Sequence, residues 1–70
     1  MNYQYVFKKV GEKILRIRKN KNISQENLAF DCHIDRSFLS EIEKEKTNPS
    51  LKILFKISMG LNIKLYQLFY

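Results

Sequence analysis

Apolar residues recur at helical spacing along most of the chain. Between Tyr5 and Asn20 they lie three or four positions apart, which places them on one face of a helix. A second such pattern begins near Asn48 or Ser50. The two stripes consist of Phe7, Val10, Ile14 and Ile17, and of Leu51, Leu54, Ile57 and Leu61. The alternation of a β-strand is absent, and the 70 residues include only two glycines and one proline. The pattern therefore predicts an all-α fold.

Two shorter helices are predicted between these stripes. Ser24 is a good N-cap, because its hydroxyl can accept a hydrogen bond from a free amide, and the helix that follows runs to about Cys32. We expect His33 to end it in the left-handed conformation, which histidine tolerates better than most residues. We expect Asp35 to cap the next helix, which runs to about Lys44. Helices this short depend on packing against the rest of the domain.

The end of the chain adds one more predicted element. Asn62 is expected to stop the fourth helix in the left-handed conformation, and a last short helix is expected over residues 65–69. Five helices in one domain, residues 1–70, result. A core of this size gives only marginal stability, so a partner chain would add useful support.

The two short helices have the features of a helix-turn-helix over about residues 24–44. A turn of three or four residues joins them, the small Ala29 lies in the first helix and the apolar Ile34 lies in the turn. In that arrangement the second helix has its N-terminus free to enter a DNA major groove.

The charge of the chain favours an anionic partner, although it is unevenly distributed. The net charge is +6 and the pI about 9.6. Residues 1–22 carry +6, residues 23–45 carry −4 and residues 46–70 carry +4. The acidic middle coincides with the helix-turn-helix. If Glu26, Asp31 and Asp35 face away from DNA, the local positive potential comes from Arg36, Lys44, Lys46 and parts of the first helix. Otherwise binding should be modest and very sensitive to salt.

Other kinds of chemistry find little support. Cys32 is the only cysteine, so no internal disulfide can form, and with its neighbour His33 it cannot complete a tetrahedral metal site. A buried thiol is expected. The chain has no nucleophile–base pair and no phosphate-binding glycine loop, so we expect neither an enzyme nor a cofactor or small-molecule ligand. No stretch is suited to a signal peptide or a membrane span, which favours a cytoplasmic protein.

Three stretches resemble the lambda-repressor-like (Xre) DNA-binding domains, over about residues 7–69. They are "GEKILRIRKNKNISQENLA", "IDRSFLSEIEKEKTNPSL" and "LKILFKISMGLNI". The positions that fit the pattern are Gly11, Arg18, Ser24, Gln25, Leu28, Ala29, Leu39, Ile42, Glu43, Asn48, Pro49, Ser50 and Leu51. The resemblance implies five helices and a homodimer on a near-palindromic operator. Within the family, "IDRSFLSEIEK" is similar to the controller proteins of bacterial restriction-modification systems.

The resemblance places Arg36, Ser37 and Glu41 at base-reading positions, and Ser40 is a fourth candidate on the same helix. Arg36 and Ser37 lie in the first turn of the third helix, and an arginine there can form two bonds to guanine. The alternative is an exposed arginine that pairs with Glu41 or with a phosphate. Glu41 could accept from cytosine N4, orient Arg36 or face water. Ser40 could contact a base or the backbone.

Further positions are predicted to contact phosphates or to hold the domain together. Gln25 begins the second helix, where its amide and the free backbone N–H groups can bind a phosphate oxygen. Arg18 and Glu43 are expected to form a structural ion pair. The other candidate phosphate contacts are Lys44, Lys46, Thr47, Asn48 and Ser50; an ordinary turn is the alternative for this group.

The C-terminal region, about residues 51–70, carries more apolar surface than a small domain needs. Such surface usually marks a partner, and a second copy of the chain is expected there. The candidate dimer-interface residues are Ile53, Met59, Tyr66, Leu68, Phe69 and Tyr70. The alternative is that they close the monomer core.

The sequence thus predicts a bacterial, homodimeric, sequence-specific regulator of transcription that binds double-stranded DNA. An antitoxin that binds a toxin protein and its own promoter is the alternative.

Overall fold

The computed structural model describes residues 3–69, which fold entirely into helices and turns. The four α-helices are α1 (Tyr3–Asn20), α2 (Gln25–Cys32), α3 (Arg36–Glu43) and α4 (Leu51–Gly60), followed by a 3-10 helix over Leu65–Leu68. The predicted all-α class is confirmed. The fifth helix is a single 3-10 turn, and α1 begins two residues before its predicted start. None of the helices in this range is both long and apolar enough to cross a membrane.

One apolar core lies between the helices. Each α-helix contributes the side chains of one face, and the C-terminal 3-10 helix closes the core from the end of the chain. The buried apolar residues are Val10, Ile14, Leu28, Ala29, Cys32, Leu39, Ile42, Leu54, Ile57, Leu61 and Leu68. Phe7 and Ile17, which were predicted on the inner face of α1, are half-buried at its edges.

Leu51 departs from the predicted stripe of α4. Its side chain is 64% exposed, whereas Leu54, Ile57 and Leu61 are buried. Ser58 is also buried and donates through its hydroxyl to the carbonyl oxygen of Phe55 at 2.7 Å. Because a helix turns once in 3.6 residues, Leu51 lies at the edge of this buried face rather than on it. The prediction for Leu51 was therefore wrong.

Three helix starts test the predicted caps. Ser24 Oγ accepts from the amide of Asn27 at 3.0 Å, and Ser50 Oγ accepts from the amide of Ile53 at 3.2 Å. Asp35 has the extended backbone of an N-cap, but within the described residues its carboxylate accepts no capping hydrogen bond. Asp35 is exposed, so water solvates its charge. Asp35 therefore occupies the predicted N-cap position of α3, but the expected bond from its side chain is absent.

Left-handed residues end several helices. His33 has φ 58° and ψ 42°, and Asn62 has φ 59°, as predicted for the ends of α2 and α4. Asn22 and Glu45 adopt the same region, with φ of 58° and 66°. Glu45 follows Lys44, the C-cap of α3, and glutamate is a less usual residue for this conformation, which explains why the sequence did not indicate it.

Gly11 brings α1 unusually close to α3. A Cβ atom at this position would collide with the carbonyl oxygen of Ile42, which is part of the α3 backbone. A backbone atom cannot move aside as the end of a long side chain can. Glycine at position 11 therefore sets the distance between the first helix and the C-terminal half of α3.

We expect the substitution Gly11→Ala to destabilise the fold. The clash with Ile42 should lower the free energy of unfolding by about 1–3 kcal/mol, the usual cost of overpacking, less about 0.5–1 kcal/mol gained because alanine favours helices. Urea denaturation followed by circular dichroism measures the change. Glu12→Ala, at the exposed neighbouring position, is the control and should change little; a Gly11→Ala protein as stable as the control would show that α1 and α3 can separate freely.

The N-caps Ser24 and Asp35 are expected to differ in their contribution to stability. Ser24→Ala should lower the free energy of unfolding by about 1 kcal/mol, because the amide of Asn27 loses its acceptor. Asp35→Ala should cost less than about 0.5 kcal/mol, because only an exposed charge near the start of α3 is removed. Thermal unfolding of both variants measures the difference, and equal losses would mean that Asp35 caps α3 in solution.

Candidate nucleic-acid interface

The start of α3 lies on the surface beside the start of α2. Arg36 and Ser37 are exposed, Ser40 is half-exposed, and together with Gln25 they line one shallow cleft. Glu41 is exposed one position further along α3. The structure thus brings the four predicted base-reading residues to one helix and sets a predicted phosphate-binding residue next to them.

The packing beneath this surface holds α2 and α3 together. Ala29 is 2% exposed, and Ile34, in the turn, packs at the edge of the core. The amide of Ile34 donates to the carbonyl oxygen of Ala29 at 3.1 Å, which ties the turn back onto α2. Leu39 is fully buried on the inner face of α3. The outer face and the N-terminus of α3 remain exposed.

Arg18 and Glu43 form an ion pair that joins α1 to the end of α3. Arg18 Nε donates to Glu43 Oε2 at 2.8 Å, and Arg18 Nη2 donates to Oε1 at 3.0 Å. Nη1 of the same guanidinium donates to the carbonyl oxygen of Ile23 at 2.9 Å. Both charged side chains are almost completely buried. Two parallel bonds between planar groups fix direction as well as distance.

The side chain of Gln25 continues this network to the surface. Its Nε2 donates to Glu43 Oε1 at 3.0 Å, and its Oε1 accepts from Arg36 Nε at 3.3 Å. Sequence reasoning placed Gln25 against a phosphate and missed both internal bonds. The contact with Glu43 spans 18 positions, and no local pattern in the sequence signals it.

A second cleft lies between α1 and the loop before α4. The loop lines it with Glu45, Lys46, Thr47 and Asn48, and α1 lines it with Gln4, Phe7 and Lys8, so one carboxylate faces the same cleft as two lysines. The amide of Lys46 donates to the carbonyl oxygen of Glu41 at 2.8 Å, so the loop is bonded to α3. No local pattern associates Gln4 and Lys8 with this loop, because about 40 positions separate them in the chain.

Two other predicted phosphate contacts lie beside this cleft. Lys44 is exposed at the C-terminal end of α3. Ser50 is exposed, but its Oγ already accepts the amide of Ile53 as the N-cap of α4. The hydroxyl proton of Ser50 is therefore the group that it can offer to a phosphate.

The acidic middle of the chain is partly neutralised. Glu43 is buried against Arg18 and adds little negative charge to the surface. The carboxylates that remain exposed belong to Glu26, Asp31, Asp35, Glu41 and Glu45. These charges oppose phosphates near the helix-turn-helix, so any binding to nucleic acid depends on the Lys and Arg side chains around it and weakens with added salt according to the number of phosphates that they contact.

Exposed apolar side chains are concentrated on α4 and after it. Of the predicted interface residues, Met59, Tyr66 and Phe69 are exposed and Ile53 is half-buried. Leu68 is only 1% exposed because it closes the monomer core, so its assignment to an interface was wrong. Tyr70 lies outside the described residues.

Sequence reasoning missed two members of this apolar surface. Leu51 and Phe55 are exposed and precede Met59 by eight and four positions. Residues four apart lie on one face of a helix. Leu51, Phe55 and Met59 therefore form an apolar stripe along α4, and we refer to these three residues as the α4 stripe.

The one cysteine is placed as a structural residue. Cys32 is buried, and its Sγ donates to the carbonyl oxygen of Lys56 at 3.3 Å. Burial raises the pKa of the Cys32 thiol, and the nearby Asp31 raises it further. A protonated, enclosed thiol is neither a nucleophile nor a metal ligand. Residues 3–69 hold no group of three or more His, Cys, Asp or Glu side chains that could bind a metal ion.

Two short packed helices, the second with an exposed and polar N-terminal turn, define a helix-turn-helix domain. Residues 14–68 match the helix-turn-helix family HTH_3. The chain belongs to this family.

Two of the proteins that are similar to this chain in sequence are control proteins. The chain is 44% identical over 55 residues to control protein C.BamHI from Bacillus amyloliquefaciens, covering 77% of this chain and 68% of that protein. It is 47% identical over 60 residues to control protein C.MunI from a Mycoplasma species, covering 84% and 81%. Within the helix-turn-helix family, the chain is therefore similar to control proteins over most of its length.

Solved structures of similar proteins agree. The restriction-modification controller protein C.AhdI from Aeromonas hydrophila superposes with a TM-score of 0.87 at 35% identity, over 90% of this chain and 96% of that one. The controller protein C.Esp1396I, solved as a tetramer with its natural 35-base-pair operator, superposes with a TM-score of 0.82 at 35% identity, over 86% and 79%.

Proposed function

We propose that the chain is a sequence-specific regulator of transcription that binds double-stranded DNA as a homodimer and controls a restriction-modification system. The observation that carries this proposal is the exposed first turn of α3, where Arg36 stands beside Ser37 and is bonded to Gln25. The similarity to C.BamHI, C.MunI and C.AhdI supports the finer assignment to controller proteins.

In the proposed complex the first turn of α3 enters the major groove. Within residues 3–69, the two terminal nitrogens of Arg36 have no hydrogen-bond acceptor. They can donate to O6 and N7 of guanine, the commonest specific contact in this groove. Ser37 and Ser40 lie on the same surface and can bond to a base edge or to the backbone. Glu41 can accept from cytosine N4.

Phosphate contacts would hold the domain in register on both sides of the groove. On one side lie Gln25, through its second amide proton, and the free backbone N–H groups at the start of α2. On the other side lies the cleft before α4, to which the structure adds Gln4 and Lys8. The residues that we propose for this second side are Lys8, Lys44, Lys46, Thr47, Asn48 and Ser50.

We propose that the homodimer forms through the α4 stripe together with Tyr66 and Phe69. These side chains are the large exposed apolar groups nearest the C-terminal end of the fold. Ile53 and Tyr70 remain predicted interface residues. Two copies related by a twofold axis would present their α3 helices about 34 Å apart, which matches successive major grooves on one side of DNA.

The alternative, an antitoxin, has less support. The chain is also 37% identical over 60 residues to the helix-turn-helix transcriptional regulator SinR of Bacillus subtilis, and C.BamHI and C.MunI are control proteins. A regulator of this kind acts by binding DNA and not by catalysis. We therefore place it in the cytoplasm, where the DNA of a bacterium lies.

The test of this function is selection of binding sites from random duplexes. We expect an inverted repeat whose half-sites lie about 10 base pairs apart, centre to centre. Recovery of no common sequence from folded, dimeric protein would contradict the proposal. Copurification with an unrelated small protein, without any selected sequence, would favour the antitoxin.

Arg36→Ala should remove preference at one base pair of the selected site. The loss of two bonds to guanine should cost about 1–3 kcal/mol on that site and little on random DNA. Lys46→Ala is the matched control: it should weaken binding to all duplexes and reduce the salt slope by about one. Fluorescence anisotropy at several salt concentrations measures both, and equal losses on selected and random DNA for Arg36→Ala would reject the readout role.

Met59→Glu should dissociate the dimer. A carboxylate in the α4 stripe would have to be buried without a partner, so we expect the dimer dissociation constant to rise by about tenfold or more. Phe30→Ser is the matched control, because Phe30 is 80% exposed but lies on α2, outside the proposed interface. Sedimentation equilibrium measures both variants, and a Met59→Glu protein that stays dimeric would rule out this interface.

A further inference from the structure

We propose that Glu43 is a positioning residue for DNA readout, because it fixes the orientation of the Gln25 amide and, through it, the direction of the Arg36 side chain. This inference rests on the proposed function, in which Arg36 reads a base. It gives the buried ion pair a role in specificity in addition to its role in the fold.

The first step is the carboxylate of Glu43. Its Oε2 accepts from Arg18 Nε at 2.8 Å, and its Oε1 accepts from Arg18 Nη2 and from Gln25 Nε2, both at 3.0 Å. An ionised carboxylate can only accept hydrogen bonds. Because Glu43 is 6% exposed, water has little access to replace any of these three bonds.

The second step is the amide of Gln25. A carboxamide has a donor end and an acceptor end, and on an open surface the two orientations are nearly equivalent. Here Glu43 can only accept and the Arg36 guanidinium can only donate. One orientation satisfies both neighbours, with Nε2 towards Glu43 and Oε1 towards Arg36 Nε. The opposite orientation would place oxygen against oxygen and N–H against N–H.

The third step is Arg36 itself. The bond from its Nε to Gln25 Oε1, at 3.3 Å, restricts a long side chain that would otherwise sample many rotamers. Ordering such a side chain before DNA arrives reduces the entropy lost on binding. It uses only Nε, so the two terminal nitrogens of Arg36 stay available to donate to guanine O6 and N7.

The other end of the network is held by the fold. Arg18, on α1, is bonded to the carbonyl oxygen of Ile23 as well as to Glu43. Movement of Glu43 is therefore opposed by α1 and by the turn before α2 at once. Hydrogen bonds thus connect Arg36, through Gln25 and Glu43, to Arg18 on α1, and the orientation of Arg36 depends on how the helices of the domain pack.

The experiment uses the full chain and two duplexes: the selected site, and the same site with the Arg36-dependent G·C pair replaced by A·T. The discrimination ratio is the dissociation constant for the second divided by that for the first. Glu43→Gln should lower this ratio by about threefold or more, as expected for residues coupled in one network. The new amide could donate to Gln25 Oε1 and thereby permit the wrong orientation.

Ile57→Val is the control for lost stability. It removes one buried methyl group from α4, and Ile57 takes part in none of the hydrogen bonds of the network, so the discrimination ratio should stay unchanged although the protein is less stable. All variants are compared well below their unfolding temperatures, with circular dichroism as the check on folding. An equal fall of the ratio in Ile57→Val and Glu43→Gln would show that Glu43 has only a structural role.

Two further variants decide the matter if Glu43→Gln does not fold. Glu43→Asp keeps the charge beside Arg18 but withdraws Oε1 from Gln25, and Gln25→Met leaves the ion pair intact but removes both amide bonds. Each should lower the discrimination ratio, and neither should lower it further in the Arg36→Ala background.

The outcomes separate this inference from the function on which it rests. If Arg36→Ala leaves the discrimination ratio unchanged, the proposed readout fails, and the positioning role fails with it. If Arg36→Ala lowers the ratio while Gln25→Met and the foldable Glu43 variants keep it, the readout stands and the positioning role is overturned.

Discussion

The buried ion pair between Arg18 and Glu43, with its two parallel hydrogen bonds, is the interaction on which the arrangement of this domain depends. It joins residues 25 positions apart and links α1 to the end of α3. Buried ion pairs contribute little net stability, because the desolvation of two charges offsets their attraction, but they tolerate only one geometry. The apolar core gives the fold its stability, and the ion pair determines how α3 lies relative to α1. Gly11 acts in the same direction, since it admits the α3 backbone where any side chain would exclude it.

The helix-turn-helix surface follows from that arrangement. The first turn of α3 projects from the fold beside α2, and Gln25 bridges the buried ion pair and the exposed Arg36. A domain of this size has a small apolar core, which can hold only a few of its surface side chains rigid by packing. A short run of polar contacts achieves that support here with three side chains. The small core also leaves the apolar side chains of the α4 stripe exposed, and a second copy of the chain can cover them.

The sequence predicted those features that depend on local order. Helical periodicity located α1 to α4, and the hydroxyl of Ser24 and the conformations of His33 and Asn62 followed from residue type. Features that depend on tertiary packing were missed or misjudged. Leu68 and Leu51 have similar apolar side chains, yet one is buried and the other exposed, because only the position of the neighbouring helices decides between them. The bonds of Gln25 could not be read from the sequence, because they join residues brought together only by the fold.

The enclosed thiol has a consequence for how copies of the chain assemble. Cys32 is the only cysteine, it is buried among core side chains, and its pKa is raised, so it is both hidden and unreactive while the domain is folded. A disulfide between two copies takes one sulfur from each, so both domains would have to expose Cys32 before it could form. While the copies stay folded, contacts between them are therefore non-covalent as far as sulfur is concerned, in oxidising and in reducing surroundings alike.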